Sequence, residues 1–308
     1  MYRSVSRLRV VQLTADGCDC IDEEKRRVHL CLAGTSENDP DWRYLRPLLH
    51  EGTRLNAIQP RREGTTLSAD LLIYEPDLLV DISAVAHCFE SYGETPLTQL
   101  LHRLKPPAQS EAIVLGHLAS QLLDEVVHTP SGRPYVESIH DFFSTHGLQI
   151  AITEISSRFH AEAQMQRQII QHIIDNELPQ QAPGFQREKA MLEPSFFSEM
   201  LGLQGRMDLL TTDFSVVLEQ KAGRGAFVPG DQHSDTPVGR TEHRVQLLLY
   251  TLLLRTLPDS SDCIPVQQRR AYLLYSHYAH GLVQQHENRD LVLRAIRLRN
   301  LIAHQELC

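Results

Sequence analysis

The stretch that most constrains this chain sets charge inside an apolar, strand-forming run: LGLQGRMDLLTTDFSVVLEQKAG, Leu201 to Gly223. Its pattern predicts a hairpin, with Gln204 to Leu210 as one strand, Ser215 to Ala222 as the next, and Thr211 to Phe214 as the polar connection. Strand side chains alternate faces, so Glu219 and Lys221 share one face while Gln220 takes the other. Asp208 sits near the end of the partner strand, where it can face them. Two carboxylates and a lysine on one sheet face make a poor core. They make a good seat for a divalent cation and a polarised water. A Glu-x-Lys pair alone is a common solvated surface pair. Asp208 across the hairpin is what gives it weight.

The rest of the composition narrows the class. The chain has 308 residues, 42% hydrophobic and 22% charged, as an ordinary globular protein has. A net charge of -9 excludes a generally basic nucleic-acid binder, so any such contact comes from local patches. The six cysteines form no CxxC pair and do not read as a disulfide framework. Cys18-Asp19-Cys20 has no second pair to complete a metal site, and reads first as buried or loop cysteines. The N-terminus carries no long apolar segment, and the run from Leu247 to Leu254 is far too short to span a bilayer. The expected setting is cytoplasmic and nucleoid-associated, with no membrane contact.

Residues 1–82 read as β-rich. Leu8–Leu13, Val28–Leu32, Arg54–Ile58, Leu67–Tyr74 and Leu78–Asp81 are short runs separated by turn-forming clusters. That spacing predicts a small barrel-like accessory module. Lys25-Arg26-Arg27 and Arg61-Arg62 are its basic candidates for DNA, although such runs are more often solvated faces. From Ser83, a plausible N-cap, the pattern turns helical. Residues 83–308 form the second expected unit, with a helical insert over about 130–180. Glu111 opens a helix in which Leu115, Leu118, Leu122 and Val126 recur at helical spacing. Arg187–Glu193 is a candidate strand before the hairpin, and a Gly-, Pro- and Asp-rich loop, Gly223–Gly239, follows it. Thr241 caps EHRVQLLLYTLLL, Arg270–Ser276 is a buried strand, and Glu287–Gln305 is an arginine-bearing amphipathic helix. The fold class is therefore α/β, a mixed sheet flanked by helices.

Phosphodiester hydrolysis with a divalent metal needs carboxylates for the ion, a group to position water, and a cation to offset charge on phosphate. Asp208 and Glu219 supply the first, the Gln220 carbonyl a neutral oxygen, Lys221 the last, and Glu193 a further candidate ligand. GLQGRMD, VVLEQKAGRG and EHRVQLLLYTLLL together resemble the nuclease domain of the RecB-like PD-(D/E)XK superfamily. The likeness is greatest to the replication nuclease–helicase that trims Okazaki-fragment flaps, with CRISPR-associated RecB-like exonucleases next. YEPDLLVDISAVAHCF, IVLGHLASQLLDEVV, RRAYLLYS and LVLRAIRLRNLIAHQ extend it in the family's order over most of residues 70–305. The resemblance implies a restriction-endonuclease-like core with Asp208 and Glu219 as metal ligands and Lys221 as the catalytic lysine. It makes Gln246 and Tyr250 a QxxxY motif, four residues apart on one helix face. Arg206, Arg244 and Arg297 become candidate DNA contacts.

Two departures qualify the resemblance. The family's first core helix often carries a metal-binding histidine four residues after its glycine. Counted from Gly116 that position is Ser120, and His117, one turn earlier, is the candidate substitute. Many relatives hold a [4Fe–4S] cluster with one cysteine before that helix and three after the last. Cys88 matches the first, but Cys308 is the only cysteine near the second, so a cluster is expected only in a longer parent protein. No GxxxxGK[ST] pattern occurs. The expected function is a Mg²⁺- or Mn²⁺-dependent deoxyribonuclease acting on single-stranded or flap DNA, joined to or partnered with a superfamily 1 helicase in replication or repair. The alternative is a nuclease-like DNA-binding or scaffolding module with weak or lost catalysis.

Overall fold

The computed structural model describes residues 4–34, 39–90, 93–106, 109–129, 132–226, 236–257 and 263–307. Most of the Gly223–Gly239 loop, and Cys308, lie outside them. Among the described residues no helix is long and apolar enough to cross a membrane.

The N-terminal part is a seven-stranded sheet of β1 (Val5–Leu13), β2 (Gly17–Asp22), β3 (Arg27–Cys31), β4 (Arg54–Ile58), β5 (Arg61–Glu63), β6 (Thr66–Ser68) and β7 (Leu71–Tyr74). Its order is β5-β6-β3-β2-β1-β4-β7, and among the described residues no ladder joins the two outer strands into a closed barrel. Alternation builds the buried face: Leu8 and Val10, Cys18 and Cys20, Val28 and Leu30 point inward. The Cys18-Asp19-Cys20 run is thus core strand, and Asp19 points the other way to His29 at 2.9 Å. The run expected as one strand from Leu67 to Tyr74 is broken between β6 and β7. Arg26 is tied to Asp22 and Glu24, and Arg61 to Asp39 and Asp70.

The chain then crosses β8 (Val80–Asp81) into α1 (Ile82–His87), α2 (Pro96–Leu104) and α3 (Glu111–His128). The helical insert consists of α4 (Tyr135–Thr145), α5 (Gly147–Ala151), α6 (Phe159–His172), continued through a π-turn over Ile173–Glu177, and α7 (Leu178–Gln181). Strands return as β9 (Ala190–Leu192), β10 (Ser195–Ser198), β11 (Leu203–Arg206), β12 (Leu209–Thr211) and β13 (Val216–Lys221). After α8 (Thr241–Leu254) come β14 (Arg270–Tyr275), β15 (Leu282–Gln285) and α9 (Arg289–Leu307).

These strands make two further sheets. One has the order β10-β11-β8 and the other β15-β14-β13-β12-β9. The larger is mixed: β13 and β14 run parallel, while the β12–β13, β12–β9 and β14–β15 pairs are antiparallel. Successive residues of its strands enter different cores. Leu209, Val216, Leu218, Tyr272 and Leu274 pack with Leu118, Leu122 and Val126 of α3 and Ile170 of α6. Leu210, Val217, Leu273 and Tyr275 pack with α8 and α9, in a core continuous with that of the N-terminal sheet. Each fully buried Leu, Val or Tyr contributes about 1.5–3 kcal/mol. α8 has eight buried side chains around most of its circumference, as a helix sandwiched between layers does.

A buried arginine pins α9 to this frame. Arg299 is 0% exposed, and its guanidinium donates to the carbonyls of Gly202, Tyr74, Glu75 and Leu78 and to Asn300 Oδ1. Burial pulls it down to about 9. Gly202, at φ +58°, is obligatory there, since a Cβ would lie 2.0 Å from Arg299 Nη2. Asn300 continues the seam by accepting from the Tyr74 N–H and donating to the Leu72 carbonyl and the Tyr44 hydroxyl.

Candidate active site

The organising stretch is not one hairpin. Its expected first strand is cut at Met207–Asp208, so that β11 pairs in the three-stranded sheet and β12 in the five-stranded one. The β12–β13 ladder is the part that does form a hairpin, with Leu209 opposite Leu218 and Leu210 opposite Val217. Beyond Leu218, β13 has outrun its β12 partner. Asp208 fills the gap: its Oδ2 accepts the Gln220 backbone N–H at 2.6 Å. In an extended residue the N–H and C=O project to one edge, so the Gln220 carbonyl is directed at the same gap. The opposite edge is occupied, for Ser276 N–H bonds the Lys221 carbonyl at 3.1 Å.

Alternation then sorts the side chains of β13. Val216 and Leu218 face α3, and Gln220 follows them, donating from Nε2 to the Ala119 carbonyl at 3.1 Å. Glu219 and Lys221 face α8. Glu219 Oε1 accepts from Lys221 Nζ at 2.9 Å and from Gln246 Nε2 at 2.7 Å. Gln246 Oε1 accepts a second Lys221 proton at 2.9 Å. The Tyr250 hydroxyl accepts from Gln246 Nε2 at 3.1 Å and donates to the Arg206 carbonyl at 2.6 Å. Five sequence-predicted residues therefore converge, Asp208 through the backbone of Gln220 and the other four in one chain of hydrogen bonds. Gly205 makes the approach possible, since a Cβ there would stand 2.7 Å from Tyr250 Cε1.

Glu219 is 4% exposed, and its Oε2 is buried without a hydrogen-bond partner. Burial, then the charge of Asp208, raises its carboxyl above the ordinary range, against the pull of Lys221. Burial also raises Asp208, offset by Lys221 and by the Gln220 N–H. An unpaired oxygen on a desolvated carboxylate is costly. Such a cost is kept where the oxygen has another partner in the working state.

The remaining predicted residues divide. Glu193 follows β9 directly, at φ +49°, and its N–H bonds the Asp208 carbonyl at 3.1 Å. Its side chain is held by Arg206 at 3.0 Å, so Arg206 lies at the edge of the site. The strand expected over Arg187–Glu193 shortens to Ala190–Leu192 after a 3-10 turn. His117 is exposed and turned toward the insert, against Gln149 at 3.2 Å and the His146 ring. The face of α3 that meets the sheet is one-third of a turn away, so His117 does not join the carboxylates. Arg244 is bonded to Gln285 at 3.1 Å on the β15 side, and Arg297 lies over the Tyr44 ring at 5.0 Å, facing the N-terminal sheet. None of the bonds drawn by either reaches the Asp208–Lys221 network. Cys88 is buried, and burial pushes its thiol up to about 11.

One residue that the sequence reading missed stands here. Asp124 is one turn beyond Ser120 on α3. Burial pushes its carboxyl up to about 6, with the charges of Glu193 and Asp208 adding to the rise. It is a further carboxylate beside Glu193 and Asp208, from the helix where a histidine was expected. The i, i+4 spacing from Ser120 was the available signal.

Comparison with known proteins adds little to this geometry. No protein-family model matches the chain. No curated protein matches it either. Among solved structures, a protein from Eubacterium rectale described as a "putative exonuclease" matches with a TM-score of 0.44 and 11% identity, over 75% of this chain and 80% of that one. That likeness is too low to carry an argument, and the functional reading rests on the side chains described above.

Proposed function

We propose that this chain is a divalent-metal-dependent nuclease that hydrolyses phosphodiester bonds where β12 and β13 part. The observation that carries the reading is the buried Asp208–Glu219 pair. One Glu219 oxygen is engaged by Lys221 and Gln246, while Oε2 is buried and unpaired. Asp208, Glu219 Oε2 and the Gln220 carbonyl are hard oxygen donors, which suit Mg²⁺ or Mn²⁺. Glu193 and Asp124 are further carboxylates at its margin. When bound, the cation would polarise the phosphate and lower the pKa of a bound water. Lys221 offsets charge on the phosphate oxygens, Gln246 holds the ammonium in position, and Tyr250 holds Gln246.

The resemblance supports a narrower substrate, single-stranded or flap DNA, and a superfamily 1 helicase in the same chain or a partner. The N-terminal sheet would then serve as an accessory DNA-binding module, and Cys88 as an iron–sulfur ligand in a longer parent. The second reading, a DNA-binding scaffold with weak or lost catalysis, has its own support. Among the described residues no three His, Cys, Asp or Glu side chains form a ready metal cluster, and His117 faces elsewhere.

Cleavage of labelled single-stranded and flapped DNA with Mg²⁺ or Mn²⁺ separates the two. Wild type is expected to cleave, and Asp208→Ala and Lys221→Ala to lose at least about a hundredfold in rate. DNA binding without cleavage under either metal would leave the scaffold. Equal cleavage by wild type and both variants would overturn the site.

A further inference from the structure

Beside Lys221 and Gln246 lies a cleft of about 370 Å³ whose remaining lining residues the hydrolytic chemistry does not use. It is lined by Lys221 and Gln246, by Ser83 and His87 of α1 with Glu90 just beyond it, and by Arg240 just before α8. Resting on the nuclease reading above, we infer that this cleft is the nucleotide subsite. It takes one unpaired nucleotide of the substrate strand next to the scissile bond, with phosphate toward Lys221 and Arg240 and the base against His87.

Four observations carry this. First, the volume suits one small-molecule-sized group and excludes a duplex. Second, His87 is backed by a second ring: His102 stacks on it with centroids 4.5 Å apart and planes 10° from parallel. His102 is itself fixed by Glu90 at 2.9 Å. A ring supported from behind is a stacking platform, and every base has a face to stack, so the contact is sequence-tolerant. Burial lowers His87 below its ordinary value, which keeps the imidazole neutral. Third, the rim has a cation to spare for phosphate. The Arg240 side chain is 46% exposed and is held at its Nε by Glu242 at 2.5 Å, so the rest of the guanidinium fork can turn outward. Its backbone N–H is anchored on the Tyr275 hydroxyl at 3.1 Å, which fixes where the side chain starts. Fourth, each acid of the wall already has a partner, Glu90 in a bond to His102 and Glu242 in one to Arg240.

The consequence is selection for single strands. A paired base cannot leave its stack to reach His87 without the cost of unpairing, whereas a free strand delivers one base at no such cost.

The test is binding without cleavage. A labelled single-stranded oligonucleotide is titrated by anisotropy in EDTA, beside a blunt duplex of the same length. Wild type is expected to favour the single strand. His87→Ala should weaken that binding about tenfold or more, the loss of one stacked base, while His87→Phe keeps it. Arg240→Gln, a surface change that leaves the backbone anchor in place, should weaken single-strand binding by severalfold and reduce its salt dependence. It keeps the test open if His87→Ala unfolds, which a melting curve reports. Wild-type single-strand affinity in both Arg240→Gln and folded His87→Ala would overturn the subsite and leave the nuclease reading standing. A wild type that neither binds nor cleaves single strands would overturn both.

Discussion

Gly205→Ala is the smallest change that should damage the site, and its size can be worked from the packing. The new Cβ would lie 2.7 Å from Tyr250 Cε1, against the roughly 3.5–4.0 Å of a comfortable carbon–carbon contact. Ile82 Cβ and Cδ1, each 3.4 Å from that Cβ, leave no free direction, and Tyr250 is only 2% exposed. The ring must therefore move by roughly 1 Å. That displaces its hydroxyl from the Arg206 carbonyl and from Gln246 Nε2, two bonds of about 1 kcal/mol each. Overpacking adds about 1–3 kcal/mol, and the lower entropy of the unfolded alanine chain returns about 0.4–1 kcal/mol. The expected net loss is about 2–4 kcal/mol, read as a lowered urea midpoint at unchanged slope. Cleavage should fall as well, since Gln246 loses the group that holds it. Tyr250→Leu removes the clash, so adding Gly205→Ala to Tyr250→Leu should cost little more than Tyr250→Leu alone. A Gly205→Ala protein with wild-type stability and rate, or simple additivity with Tyr250→Leu, would refute the packing argument.

Three other outcomes are expected. Arg299→Met fills similar volume but abandons the carbonyls of Tyr74, Glu75, Leu78 and Gly202, and should cost about 2–4 kcal/mol by denaturant titration. Asp124→Asn should slow cleavage at least about tenfold. Because burial raises this carboxyl, its ionisation opposes folding once pH exceeds its unfolded value. The amide should therefore raise the melting temperature at pH 7 and give no such gain at pH 3. His243 is pushed down to about 3, by burial first and by Lys221 second. Its Nδ1 lies 2.8 Å from the Tyr275 hydroxyl, which also accepts the Arg240 N–H. The neutral ring's contribution is complete above the unfolded value near 6.5 and is lost progressively as pH falls toward 3, by up to about 1.4 kcal/mol per unit. His243→Gln should flatten stability between pH 6.5 and 4 relative to wild type; an unchanged slope would contradict that assignment.

Strong local periodicity was legible in the sequence. Glu111–His128 and Thr241–Leu254 form helices where their apolar spacing predicts them, although Thr241, expected as the cap, is the first helical residue after Arg240, and Arg54–Ile58 is a strand to the residue. The sidedness of Glu219, Gln220 and Lys221 followed from period two alone, and of the QxxxY pair Gln246 bonds the lysine while Tyr250 bonds Gln246. The exchange of sheets at Met207–Asp208 was not legible, because apolar alternation continues across the break and only long-range pairing with β10 and β9 reveals it. β15 was missed because Leu-Val-Gln-Gln is half polar, and its strand character comes from pairing with β14. His117 and Arg297 failed for a related reason. Helical spacing tells which residues share a face, but not which neighbour that face meets, and about a third of a turn separates His117 from the face on the sheet. Arg299 was not singled out among the arginines of the expected amphipathic helix, and only the carbonyl cage explains its burial.

The metal-dependent site is tested most directly by single-turnover cleavage of labelled single-stranded DNA against Mn²⁺ concentration, with wild type beside Glu219→Gln. Glutamine keeps the shape and can still accept from Lys221, so the variant should fold. The wild-type rate is expected to rise with Mn²⁺ and vanish in EDTA, and Glu219→Gln to cleave at least about a hundredfold more slowly at every concentration. Cleavage that survives EDTA, or a folded Glu219→Gln protein with the wild-type Mn²⁺ response, would contradict it.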